Sequence, residues 1–288
     1  LKHAIERSNF AYNQASENTR ALKVDDNYQT YLNRLARMML PETYNSQAQH
    51  IHESYKFKPA PEGGRKAAFF PGYTIITPPA CEESKNSAFY SHLLSCQEQL
   101  LQLPVNPGLI VPLPGSSFHF TLADLIWENA YLDACEKNPD YEAKLRSCIS
   151  TIFGQWQELM THQTEPIRWQ MLGLIVMPRA LGVTLVPKDE QSYERIVQFR
   201  RALYQTPQLI GLGIEQHYHL TAHVTLGYFG DVPSDLDREG LGNMFWELNH
   251  QWLENSPEIL VHSAELRKFD DMTHYYRQPD WPTLEFSH

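Results

Sequence analysis

Two segments of this chain, SSFHFTLADL at 116–125 and TAHVTLGYF at 221–229, repeat one pattern 104 residues apart: a histidine and a threonine separated by a single residue, with apolar side chains at the alternate positions. Successive side chains of a β-strand point to opposite faces, so His119 shares a face with Thr121, and His223 shares one with Thr225. Phe120, Leu122, Val224 and Leu226 then point the other way, where helices can cover them. The chain must therefore supply two strands that are each apolar behind and polar in front.

The surroundings of the two segments repeat in order as well. FFPGYTIITPP (69–79) reads as a short strand bounded by prolines, and SAFYSHLLSCQEQLLQL (87–103) spaces Phe89, Leu93, Leu94, Leu100 and Leu101 as a helix does. The strand GLIVPLP and the first histidine segment follow, then helices at about 124–136 and 139–160 anchored by Trp127, Leu132, Ile152 and Trp156. In the second half, strands in QMLGLIVMP and GVTLVP precede a helix over 189–205 and a histidine-rich strand over 216–230. A helix in SDLDREGLGNMFWELNHQWLEN and a strand in EILVHSAELRKF close the chain. Element order is duplicated with little residue identity beyond the motif, which predicts an α+β fold of two related antiparallel sheets with flanking helices.

Ahead of this pattern, residues 1–60 are polar. NYQTYLNRLARMML places Tyr31, Leu32, Leu35 and Met39 at helical intervals, with Pro41 as its stop, and KFKPAPEGGRK (56–66) reads as a connecting loop. The domain reading is an N-terminal helical extension over 1–60 and a catalytic domain over 61–288, with lobes at about 67–165 and 166–280 between which a strand can be exchanged. The glycines of PEGGRK lack the GxxxxGK[ST] pattern of a nucleotide cradle.

Hydrophobic residues at 42% and charged residues at 20% are the balance of a folded globular chain. A formal net charge of -10 opposes sequence-independent binding to long nucleic acid, whose affinity comes from Lys and Arg displacing counterions, and leaves a short or terminal nucleotide as the partner. Cys81, Cys96, Cys135 and Cys148 are widely spaced without a CxxC pair, as expected of reduced thiols in a cytoplasmic protein. No apolar run approaches the roughly 20 residues that cross a bilayer, and the opening LKHAIERSNF is too polar for a signal peptide, so no membrane partner is expected. Oligomeric state is not written in any of these features.

An imidazole, with a pKa near about 6.5, gives or takes a proton near neutrality, so two facing histidines can divide the acid and base roles of one displacement while neighbouring hydroxyls hold phosphoryl oxygens. The paired motifs resemble the signature of the 2H phosphoesterase superfamily over roughly residues 67–276, and ELRKFDDMTHYY (265–276) resembles a sparsely characterised bacterial branch of it. The resemblance implies a bilobal fold around a central cleft with pseudo-twofold symmetry. It also implies metal-independent action, without a cofactor, on a cyclic nucleotide phosphate or an RNA-end phosphodiester by His119, Thr121, His223 and Thr225. In the 2',5' RNA ligase branch a basic residue often follows each motif, whereas Ala123 and Tyr228 stand at about those positions here. Tyr228 is a candidate for substrate binding, although period two points it away from His223 unless the strand bulges.

Two other functions fit the same residues: a binding module that senses a nucleotide or phosphorylated metabolite without turnover, and a zinc hydrolase centred on His217 and His219. His219 and His223 are about 13 Å apart along an extended strand, too far to share an ion. His219-Leu220-Thr221 is an alternative reading of the second motif. His274 reads as an exposed loop residue, and Asp270-Asp271 as a turn.

Overall fold

The computed structural model describes residues 25–160, 163, 165–253 and 257–286. Helices α1 (Tyr28–Met38) and α2 (Pro41–Gln49) lead into the hairpin of β1 (Phe57–Pro59) and β2 (Arg65–Ala67). Then follow β3 (Gly72–Ile76), α3 (Ser87–Leu101), β4 (Ile110–Pro112) and β5 (Thr121–Trp127). Helices α4 (Glu128–Lys137) and α5 (Tyr141–Leu159) precede the long hairpin of β6 (Ile167–Val176) and β7 (Ala180–Pro187). Next come α6 (Glu190–Tyr204), α7 (Pro207–Gly211), β8 (His223–Phe229) and α8 (Arg238–Leu253). Four strands finish the chain: β9 (Glu258–Val261), β10 (Ser263–Asp271), β11 (His274–Tyr276) and β12 (Thr283–Glu285).

Two five-stranded sheets result, and the fold is α+β. One runs β11-β10-β3-β5 with β12 added on β10, the other β4-β8-β7-β6-β9, and their pairings are antiparallel. Each sheet contains one strand-helix-strand unit, β3-α3-β5 in the first and β7-α6-β8 in the second, so the duplicated element order has a structural counterpart. The apolar backs of the units meet in one core, where Phe120 packs edge-on to Trp169, with ring centres 5.5 Å apart.

Several expected boundaries move, each for a physical reason. Pro41 does end α1, but it also opens α2, because its fixed φ suits the first helical position. The helix expected from 124 starts only at Glu128, since Asp124 and Trp127 still pair with β3. Glu128 then turns the chain at φ 52 while donating its N–H to Pro71. KFKPAPEGGRK is not a loop but the β1-β2 hairpin, whose turn uses the positive φ of Gly63 and Gly64. The apolar run EILVHSAELRKF divides at His262: β9 joins β6 in the second sheet and β10 joins β3 in the first. β4, from the first half of the sequence, likewise lies beside β8 in the second sheet.

Helices α1 and α2 are packed into this body. Tyr31, Leu35, Tyr44 and Ala48 are buried, and the Tyr44 hydroxyl donates to Leu174 O at 2.7 Å. Among the described residues no helix is long and apolar enough to cross a membrane, and the four cysteines are free.

Candidate active site

Both histidines sit where a strand begins, and in both places a side-chain hydroxyl replaces a backbone carbonyl in the adjoining rung. His119 precedes β5 on an extended segment: Thr77 N–H donates to Phe120 O at 3.0 Å, but the returning Phe120 N–H goes to Thr77 Oγ1 at 3.0 Å. Ahead of His223, Leu185 N–H donates to Ala222 O at 2.8 Å, whereas Ala222 N–H reaches the Tyr31 hydroxyl at 3.2 Å, which itself donates to Leu185 O at 3.0 Å. The histidine-rich segment expected as a strand over 216–230 is therefore strand only from His223 onward.

The two rings are held alike. Nδ1 of His119 lies 2.7 Å from Ser117 O, and Nδ1 of His223 lies 2.6 Å from Thr221 O. A carbonyl can only accept, so Nδ1 carries a proton in each ring and Nε2 is the nitrogen left to take or give one. Burial pushes His119 down to about 4, opposed by the bond to Ser117 and assisted by the nearby His223 and Arg267. The ring of Tyr275 meets His119 edge-on, with centres 4.2 Å apart.

His119, Thr121, His223 and Thr225 all line one cleft of about 670 Å³ between the sheets, and Tyr228 lines it with them. Tyr228 gets there through a bulge. The pairing of β7 with β8 passes from Gly182↔Thr225 to Leu181↔Gly227, so Leu226 is an extra residue and the alternation restarts after it. Gly182 makes this possible: a Cβ there would collide with Val224 O across the ladder. β5 does the same, since Ile76 pairs with Thr121 and Ile75 with Ala123, leaving Leu122 extra. The counterpart of Tyr228 is therefore Asp124, which lines the cleft, whereas Ala123 is fully buried on the other face.

Each bulge is supported by a helix from the other unit. Arg200 of α6 donates to Leu122 O at 2.7 Å, and Gln97 of α3 donates to Leu226 O at 2.7 Å. Arg200 also donates to Tyr218 O at 3.1 Å and pairs with the buried Asp25, whose carboxylate in turn accepts Leu220 N–H at 2.6 Å. Arg34 donates to Thr221 Oγ1 and to Leu220 O, both at 2.6 Å. Neither support was readable beforehand, because nothing local to Arg200 or Gln97 points to a carbonyl on a distant strand.

The other candidates part from the site. His217 packs its ring against Trp127, with centres 5.2 Å apart, while His219 lies on the Asp26 side, with Nδ1 3.8 Å from Oδ1, so the two rings rest against different partners. Among the described residues no group of three His, Cys, Asp or Glu could hold a metal. His274 is exposed and stacks on Tyr276, and Asp271 accepts the N–H and hydroxyl of Thr273 in the β10-β11 turn. Around the motifs stand Tyr55, Lys56, Phe70 and Tyr275, which sequence reasoning missed. The available signal was the run Tyr55-Lys56-Phe57, a basic residue between aromatic ones.

The site thus converges two imidazoles whose Nε2 atoms have no hydrogen bond among the described residues, two threonines and aromatic walls. No protein-family model matches the chain, and no curated protein matches it in sequence. Among solved structures, it is similar to the conserved protein of unknown function ATU0111 from Agrobacterium tumefaciens, at 18% identity over 85% of this chain and 97% of that one, with a TM-score of 0.49. It is also similar to E. coli LigT complexed with 3'-AMP, at 12% identity over 75% and 98% of the respective chains, with a TM-score of 0.41. A third similar structure is TT0787 of Thermus thermophilus, at 12% identity over 74% and 97%, with a TM-score of 0.39.

Proposed function

We propose that the chain is a phosphodiesterase acting on a cyclic nucleotide phosphate or an RNA-end phosphodiester, in which His119 and His223 move the protons and Thr121 and Thr225 hold the phosphoryl oxygens. The observation that carries this reading is the matched fixation of two imidazoles in one cleft, each with Nδ1 spent on a carbonyl two residues back and Nε2 left free. Burial disfavours the charged form of His119, which makes it the base. Its Nε2 takes a proton from water as the water oxygen bonds to phosphorus, and His223, which enters the step with a second proton on Nε2, delivers that proton to the oxygen whose bond to phosphorus breaks and is recharged from solvent. The proton on His119 returns through solvent. Tyr55 and Tyr218, the exposed rings of the cleft, offer faces on which a base can stack, and Tyr228 lines the wall beside the motifs.

Turnover of 2',3'-cyclic nucleotides tests this directly. His119→Ala and His223→Ala should each lower kcat by roughly 100-fold or more, the usual worth of a positioned acid or base, and activity should survive EDTA. The lack of a basic residue beside either motif, where Ala123 and Tyr228 stand, favours a second reading. Under that reading the protein senses a nucleotide or phosphorylated metabolite, and calorimetry would show binding while the turnover assay shows no product.

A further inference from the structure

Lys56, at the foot of the hairpin at 57–67, carries a cation into the cleft from outside both motifs. The backbone around Lys56 is fixed on two sides: Ser54 N–H donates to Phe229 O at 2.8 Å, and Ala68 N–H donates to Lys56 O at 2.9 Å. The ammonium lies 4.5 Å from the ring centre of Phe70 and 5.4 Å from that of Tyr228, and the side chain lines the same cleft as the two histidines. Among the described residues it has no hydrogen bond or ion pair.

This sets Lys56, which is half-buried, apart from three arginines whose side chains are buried and paired. Arg200 is neutralised by Asp25, Arg267 by Glu82 and Glu265, and Arg65 by Glu53 and Asp231. An ammonium removed from water is costly unless paired, and two aromatic faces compensate only part of that cost. Burial lowers the pKa of Lys56, while the charges of Asp124 and Glu128 act to raise it. A cationic side chain held in this way lacks one thing, an anion.

We propose that Lys56 binds the phosphate of the substrate, supplying from the hairpin the positive charge that neither His-x-Thr strand provides. The proposal rests on reading the cleft as a phosphoester site and names a further residue of that site. Its ligand is an anionic phosphoester, and neutral analogues of the same nucleoside gain nothing from it.

Binding of inorganic phosphate by calorimetry, with turnover of 2',3'-cyclic nucleotides, tests it on Lys56→Met and Lys56→Arg. Met keeps the unbranched stem between Phe70 and Tyr228 and removes only the charge. Lys56→Met should weaken phosphate binding tenfold or more and raise KM by a similar factor with less change in kcat, and Lys56→Arg should recover part of the loss. In the wild-type protein, phosphate should protect Lys56 from trinitrobenzenesulfonate, as read by peptide mapping, and this holds whatever the variants do to folding. If Lys56→Met binds phosphate as the wild type does and phosphate gives no protection, while His119→Ala still abolishes turnover, the role of Lys56 is overturned and the phosphodiesterase reading stands. A wild-type protein that neither binds phosphate nor turns over any cyclic nucleotide overturns both.

Discussion

His119 sets the pH behaviour of the site. Its pKa is held near about 4 by burial, below the ordinary histidine value near about 6.5, so between those values the unfolded chain takes up a proton that the folded chain refuses. Stability from this residue is therefore complete above about 6.5 and is lost as the pH falls through that window towards about 4. His119→Gln should flatten that part of a stability profile measured by urea unfolding. As the proposed base, the same ring predicts that kcat/KM keeps its value as the pH drops below 6 and falls only near about 4. An acid limb near 6.5 would show that the base is another group. Of the residues that line the cleft, His119, Thr121, His223 and Thr225 were legible as sharing a face because period two holds across each His-x-Thr. Asp124 was not, and Tyr228 only conditionally, because a single extra residue reverses which face the chain shows.

At the scale of elements, those extra residues depend on partners that lie far away in sequence. A bulge leaves carbonyls out of the ladder, and here Leu122 O is taken by Arg200 and Leu226 O by Gln97, each from the opposite unit's helix. The exchange is reciprocal, so the strands that carry the motifs are mutually braced. Alternation and helical spacing made most of these elements legible. The bracing was hidden, because Arg200 reads as an ordinary charge on an amphipathic helix until Asp25 and Leu122 are placed beside it. Arg200→Met should cost about 3 to 5 kcal/mol, since it strands the buried carboxylate of Asp25 as well as the Leu122 carbonyl, and urea unfolding would measure this. Gly182→Val tests the second bulge from the other side. The new Cβ collides with Val224 O, so β8 must shift, and kcat should fall with Tyr228 no longer set on the cleft face.

For the whole molecule, the helices before residue 50 form part of the structure that aims the second histidine. Amphipathic spacing revealed α1 but not its task, because the task belongs to one hydroxyl and one guanidinium that reach across the fold. Tyr31 inserts its hydroxyl between β7 and Ala222 at the entry to β8, and Arg34 holds Leu220 and Thr221 just ahead of it. Thr221 O is the carbonyl that fixes the His223 ring, so a chain of contacts runs from α1 to the imidazole. Tyr31→Phe removes one oxygen and leaves Ala222 N–H and Leu185 O facing each other without a bridge in full burial. If they remain apart, two buried polar groups are unsatisfied, at about 2 kcal/mol of stability. If they close into an ordinary rung, the segment ahead of β8 moves towards β7 and His223 moves with it. Either way the fold and the chemistry respond together: urea unfolding should show the loss or kcat should drop about tenfold, with the acid limb of His119 unchanged because its ring is held from Ser117. Stability and kcat both equal to wild type would mean that α1 packs against the sheet without aiming anything.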